Sequence, residues 1–226
     1  MKRTAQHERQ AGFSTLELLI VVAMSVIITA IAVPSYLNTA AYLRAAGDLR
    51  ALNGLTAQAK MRAAANFTRA RVFADLSGGT YQLQIWDKAA NSGKGCWVED
   101  SDPKSDANKT CITYTNSAPS GAAIALSQGD TFGFGSLSAG PTPGQATIAQ
   151  AGQCRKDDGS TILNSACILF NSRGVPMDPA TYAPISTGAF YVTNASFGIV
   201  NAVTVSATGS MQTWSSSASK ATWHAQ

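Results

Sequence analysis

The chain has 226 residues, of which 45% are hydrophobic and only 13% are charged. Few charges, together with many Ser, Thr, Ala, Asn and Gly residues, favour an extracytoplasmic β-rich domain over a cytosolic helical enzyme. The net charge is +4, but Lys2, Arg3 and Arg9 against Glu8 contribute +2 of it. The rest of the chain therefore carries too little positive charge to argue for a nucleic-acid partner.

Residues 1–12 form a short basic leader before an apolar run. Positive segments beside an apolar helix stay in the cytoplasm, so we expect the rest of the chain to cross outward. A secretory signal is cleaved behind its apolar core, at small residues, and no such site follows Val33. The Gly12–Phe13 junction is the better cleavage site, and a cut there leaves the apolar run on the mature chain.

Residues 13–33 are apolar apart from a few small polar side chains and one acid, Glu17. As a helix this segment is about 31 Å long, which matches a hydrocarbon core of about 30 Å. A charge at the bilayer centre costs about 2.5–3.5 kcal/mol. The simple alternative is a single-pass anchor with an incidental acid. The sequence instead favours an acid that pairs with a cation supplied by another chain.

The segment GFSTLEL at 12–18 and the apolar run after it resemble the N-terminal signature of type IV pilins and of type II secretion pseudopilins. Pro34 falls where that family often has a proline. The resemblance implies that a prepilin peptidase cleaves after Gly12 and methylates Phe13. It implies that Glu17 neutralises the Phe13 amine of a neighbouring subunit. The implied partners are other pilin or pseudopilin subunits, the peptidase and inner-membrane lipid; no cofactor is implied.

The helix is predicted to continue to residue 65, because apolar residues recur there at spacings of three and four. Pro34 is predicted to kink it. We therefore divide the chain into a leader at 1–12, a helix at 13–65 with its membrane segment at about 13–33, and a periplasmic domain at 66–226. The fold class is α+β, a long N-terminal helix packed on an antiparallel β-sheet domain, which the resemblance makes pilin-like.

After residue 66 the apolar period changes to two, which predicts strands. A hairpin is predicted from strands at 67–73 and 80–86 around a turn at 77–79. Short strands are predicted at 112–114, 122–126 and 131–134, and later strands at 167–176, 189–194 and 201–209. Residues 87–110 are polar and rich in turn residues, which predicts a long excursion.

The C-terminal third carries two further patterns, F-x-x-x-G at Phe170–Gly174 and V-x-V-S-x-x-G at Val203–Gly209. Together with the predicted hairpin, their order resembles the GspH/FimT family of pseudopilins and minor pilins. This resemblance covers much of the globular domain but leaves out the segments at 87–110 and 140–164.

All cysteines lie beyond the apolar run, where the predicted periplasmic location lets disulfides persist. They are Cys96, Cys111, Cys154 and Cys167. Neighbouring positions favour the pairs 96–111 and 154–167 among the three possible connectivities. A metal site is less favoured, because there is no CxxC pair and the histidines are His7 and His224.

No catalytic constellation stands out, and we expect no enzyme. The chain has no GxSxG, and after the leader only His224 remains, in a tail predicted to be frayed. Acidic stretches at Asp100, Asp102 and Asp106 and at 157–159 do not match a calcium loop. We interpret them as solvated turns.

Lys60, Arg62, Arg69 and Arg71 form a possible basic strip for DNA phosphate. Some FimT-like pilins bind DNA through a C-terminal Gly-Arg-x-Arg element, but residues 209–212 here lack both arginines. A solvated strand face is therefore favoured, and a nucleic-acid partner is not expected.

Among the tryptophans, Trp86 and Trp97 are interpreted as core or hairpin cover, whereas Trp214 and Trp223 are expected to pack on the domain or to contact a partner.

These observations favour a minor pilin or pseudopilin that acts in type IV pilus assembly or in type II secretion, and they do not separate the two systems. The alternatives are a DNA-binding competence pilin and an adhesive tip subunit, for which 87–110 is the candidate surface.

Overall fold

The computed structural model describes residues 14–100 and 109–226. The chain divides into two compact units, Met1–Tyr42 and Leu43–Gln226. One helix, α1 (Thr15–Ala65), runs from the first unit into the second. Its backbone stays helical through Pro34, and the predicted kink there remains a prediction.

Antiparallel strands make up the rest of the second unit, so the chain has an α+β fold, as predicted. In chain order they are β1 (Ala70–Asp75), β2 (Thr80–Asp87), β3 (Cys96–Glu99), β4 (Tyr114–Thr115), β5 (Ala118–Pro119), β6 (Ile124–Ala125), β7 (Asp130–Phe132), β8 (Ser165–Phe170), β9 (Pro176–Met177), β10 (Thr187–Asn194), β11 (Ile199–Ser206), β12 (Met211–Ser217) and β13 (Lys220–Ala225).

These strands form two main sheets. The first has the order β3-β2-β1-β8-β9, with β6 paired to the start of β2. The second has the order β13-β12-β11-β10-β7, and β4 and β5 make a small separate pair. Neighbouring strands in both main sheets are antiparallel, so backbone groups inside each sheet are satisfied by direct pairing.

One apolar core joins the C-terminal part of α1 to both sheets. The predicted helix stripe supplies Leu49 and Leu52, which are 1% and 0% exposed, and Ala59 and Ala63, which are also buried. Burying one leucine contributes about 1.5–3 kcal/mol, so this stripe fixes the helix on the sheets. Its partners in the core come from β1, β8, β10 and β11: Val72, Ile168, Phe190 and Val203.

The hairpin of β1 and β2 forms as predicted, with Val72 opposite Leu83. The prediction that its first strand begins at Phe67 is wrong. Phe67 has a positive φ of 47°, and Thr68 N donates to Ala63 O (3.1 Å) to close the helix. The residues after α1 are therefore used as a helix cap, and β1 begins only at Ala70.

The prediction that residues 87–110 form a polar excursion is wrong for β3, which is a buried strand within that segment. β3 pairs with β2 and places Trp97 opposite Trp86. Trp97 is only 1% exposed, and the two rings meet edge to face with centroids 5.4 Å apart. A strand of four residues is too short to show a period, which is why the pattern did not predict it.

The C-terminal tail is also ordered, so the prediction that it is frayed is wrong. Residues of the tail form β12 and β13, in which His224 pairs with Ser215. Trp214 Nε1 donates to Thr204 Oγ1 (2.9 Å), and Trp223 Nε1 donates to Ala139 O (2.9 Å). Both tryptophans thus pack on the domain, the first of the two predicted roles.

Candidate functional site

Glu17 lies in the first turn of α1, and Ser14 caps that turn. Leu16 N donates to Ser14 Oγ (3.3 Å), which satisfies one of the free amides at the helix start. The helix dipole favours an acid at this end. The sequence analysis did not predict the Ser14 cap. Its signal is Ser14 followed three residues later by Glu17, which is the capping-box pattern.

The N-terminal part of α1 presents an apolar surface. Its leucine, isoleucine, valine and methionine side chains from Leu16 to Val33 are 45–71% exposed. Ser25 Oγ donates to Val21 O (2.8 Å) and Thr29 Oγ1 donates to Ser25 O (2.9 Å), so these hydroxyls are satisfied within the helix. By length and composition, α1 can cross a membrane.

Glu17 is the single charged residue between positions 14 and 43, since the next is Arg44. It takes part in neither of the ion pairs found among residues 14–100 and 109–226. Gly12 and Phe13, the predicted sites of cleavage and methylation, lie outside the described residues. The apolar segment therefore offers its acid no cation of its own.

Arg71 is buried, although its strand was predicted to show a solvated face. Its guanidinium donates to Gln84 Oε1 (2.7 Å), Arg155 O (2.6 Å) and Tyr114 OH (2.6 Å), and it stacks 3.9 Å from the Trp97 ring centroid. Burial lowers the pKa of Arg71, against the opposing effect of Tyr114. The predicted solvated face is therefore wrong at this position.

The other cations of the predicted DNA strip are not gathered on one surface either. Lys60 Nζ donates to Gly209 O (2.9 Å), and Arg62 forms an ion pair with Asp100 (3.0 Å). Arg69 is half-buried between aromatic rings. Two of the four cations thus hold α1 on the domain and one is buried beneath a ring. Arg69 is the one of the four whose side chain has neither a hydrogen bond nor an ion pair within residues 14–100 and 109–226.

The structure contains the two disulfides that sequence proximity favoured. Cys96 bonds Cys111, and Cys154 bonds Cys167. The first ties β3 to the segment before β4, and the second ties β8 to the loop before it. Asp157 lies close to the first pair, but a cysteine in a disulfide has no thiolate to offer a metal.

The acidic stretches behave differently from one another. Asp158 accepts a hydrogen bond from the amide of Ser160 (2.8 Å) in an exposed turn, and the hydroxyl and the amide of Ser160 together lower the pKa of Asp158. Asp100 is held by Arg62 on the helix. Asp102 and Asp106 lie outside the described residues.

A carboxyl pair that the sequence did not predict links α1 to the second sheet. Asp48 accepts hydrogen bonds from Ser127 N (2.6 Å) and Ser127 Oγ (3.0 Å). Asp130, three residues after Ser127, accepts from Asn194 Nδ2 (2.6 Å), and its other carboxylate oxygen is buried without a hydrogen-bond partner among the described residues. Burial, with the charge of Asp48, raises the pKa of Asp130 to about 6. The carboxyl of Asp130 therefore keeps its proton to a higher pH than an exposed aspartate does.

Comparisons with protein-family models, curated proteins and solved structures find no match to this chain. Any assignment of function therefore depends on the residues and contacts described above.

Proposed function

We propose that the chain is a structural subunit of a helical filament based in the inner membrane, either a minor pilin of a type IV pilus or a pseudopilin of type II secretion. Its C-terminal domain lies in the periplasm, and its apolar helix lies in the membrane before assembly and against other helices afterwards. Such a filament needs head-to-tail contacts rather than two-fold pairing.

The observation that carries the proposal is Glu17 at the start of an exposed apolar helix. The helix dipole offsets only part of the cost of an unpaired carboxylate in lipid, which reaches about 2.5–3.5 kcal/mol at the bilayer centre, so a plain anchor is better without one. The segment 14–43 contains no lysine or arginine to neutralise it. An α-amine created by cleavage at Gly12–Phe13 supplies a cation at the right end of the helix, in a neighbouring copy.

The described residues give no support to DNA binding, the second function considered for the sequence. A DNA-binding strip needs several cations free to contact successive phosphates. Here Lys60 and Arg62 bind the domain itself and Arg71 is buried. The proposal includes no catalytic activity and no cofactor.

The test is the mass of the mature N-terminus after expression with a prepilin peptidase. We expect the chain to begin at N-methylated Phe13, and Gly12→Ala to retain the leader. Ala11→Gly is the matched control, because it changes the neighbouring leader residue and leaves Gly12 in place. A wild-type chain that keeps Met1, and enters no filament, would leave only a membrane-tethered domain.

A further inference from the structure

Phe67 is an exposed aromatic residue held in a backbone conformation that disfavours it. Phe67 N donates to Ala64 O (3.3 Å) and Thr68 N donates to Ala63 O (3.1 Å), which is the Schellman pattern at a helix end. Glycine usually occupies this position because its φ is positive, here 47°. The ring is nevertheless 78% exposed, so burial offsets none of the strain. Such a residue is a candidate for contact with another molecule.

Arg69, two residues later, is held between two aromatic rings. Its guanidinium carbon lies 4.5 Å from the Trp86 ring centroid and 4.6 Å from that of Tyr182. Within residues 14–100 and 109–226 the guanidinium has no ion pair and no hydrogen-bond acceptor. The rings therefore hold the guanidinium in place, and its N–H donors have no acceptor in the described part of the chain. A planar fork of this kind binds a carboxylate through two parallel hydrogen bonds.

These residues line one groove of about 460 Å³. Lys88 adds a second positive charge, and its Nζ donates to Phe67 O (3.2 Å) at the rim. Met177 and Tyr182 add apolar surface to its lining. We call this site the Phe67 groove, defined by Phe67, Arg69, Trp86, Lys88, Met177 and Tyr182.

We propose that the Phe67 groove binds an acidic segment of another polypeptide, with a carboxylate on Arg69 and an apolar side chain against Phe67. The charge of the groove selects an anion, and the exposed ring selects an apolar neighbour of that anion. This proposal does not depend on the filament assignment, because it uses only the chemistry of the groove.

A single-stranded nucleic acid is less suited to this groove than a peptide. Nucleic acids are held by cations that follow the phosphate backbone over several nucleotides. Beyond the groove, Arg62 is paired with Asp100, and Lys109 with Asp87 (3.7 Å). The groove therefore offers cations for one anionic group and not for a chain of them.

The test uses the full chain in detergent micelles and three fluorescent probes. These are a hexapeptide of alternating glutamate and leucine, its glutamine-for-glutamate isostere, and a short oligothymidylate. We expect the acidic peptide to bind, with the isostere at least about tenfold weaker. Arg69→Gln should lower the affinity for the acidic peptide by about tenfold. Arg173→Gln, which removes an exposed charge outside the groove, should change it less than about twofold.

Phe67→Gly separates binding from folding. This substitution should raise the melting temperature, because glycine accepts the positive φ. It should nevertheless lower the affinity for the acidic peptide. Four results would overturn the proposal: no binding of the acidic peptide, equal losses for Arg69→Gln and Arg173→Gln, unchanged affinity in Phe67→Gly, or tighter binding of the oligothymidylate than of the peptide.

Discussion

Gly174 and Gly209 are packed so closely that a Cβ on Gly209 would lie 2.5 Å from the carbonyl oxygen of Gly174. A Cβ on Gly174 would in turn lie 2.9 Å from Cε of Lys60. Each glycine ends one of the two C-terminal sequence patterns, F-x-x-x-G and V-x-V-S-x-x-G. Two turns that are distant in the sequence therefore meet at one point on α1, and both need a residue without a side chain.

Gly209→Ala should destabilise the domain by about 2 kcal/mol or more, as measured by urea unfolding. The added methyl group meets Gly174, and alanine also resists the φ of 72°. Gly198→Ala is the matched control, because Gly198 has a φ of 59° but no atom within 4 Å of its added Cβ. The free energy of unfolding of Gly198→Ala should be lower than that of wild type by about 1 kcal/mol. Equal losses in the two variants would mean that the close approach carries no energy.

The Asp48–Asp130 pair should make stability depend on pH. The folded pKa of Asp130 is about 6, above its usual 3.8, so the folded state binds the extra proton. Its contribution to stability is complete below about pH 4 and is lost as the pH rises through about 6. Asp130→Asn mimics the protonated form, since the amide is uncharged in the same buried place.

Melting temperatures of wild type and Asp130→Asn between about pH 4 and pH 7 check this expectation. The melting temperature of Asp130→Asn should increase relative to that of wild type as the pH rises. Asp178→Asn is the control. The amides of residues 181 and 180 lower the pKa of Asp178, so the titration of Asp178 changes stability only at more acidic pH. Parallel curves for wild type and Asp130→Asn would show that the pKa of Asp130 is not raised in the folded protein.

Arg71→Lys should destabilise the domain by about 2 kcal/mol or more in urea unfolding. Lysine keeps the buried charge but loses the planar fork that reaches Gln84, Tyr114 and the backbone of residue 155. The exposed Arg173→Lys should change stability by less than about 0.5 kcal/mol. A loss at Arg71 no larger than this control would mean that its hydrogen bonds are not needed for folding.

Glu17→Gln should leave membrane insertion intact and reduce the amount of the chain in sheared filaments. The neutral amide enters lipid more readily, but it cannot neutralise the amine of a neighbouring subunit. Glu17→Asp keeps the charge and should retain part of the incorporation. Wild-type levels of Glu17→Gln in filaments would contradict the charge-pairing role.

Periodicity predicted the elements that are long or strongly patterned. The stripe from Leu49 to Ala63 and the alternation in β2 each depend on one element facing one core, so local spacing is enough. The four residues of β3 carry no readable period, and the cap at Phe67 contradicts the usual preference for glycine. The pattern therefore failed at both places.

By itself the sequence determined the exposed apolar helix, its single acid at Glu17, the α+β class and the favoured cysteine pairing, because each follows from spacing, composition or proximity along the chain. Only the tertiary structure decided that Arg71 is buried, that Arg69 is left facing a groove, and that Asp130 is buried near the charge of Asp48. These depend on which distant segments come together, and a charged side chain acquires its role from the neighbours that desolvate or pair it.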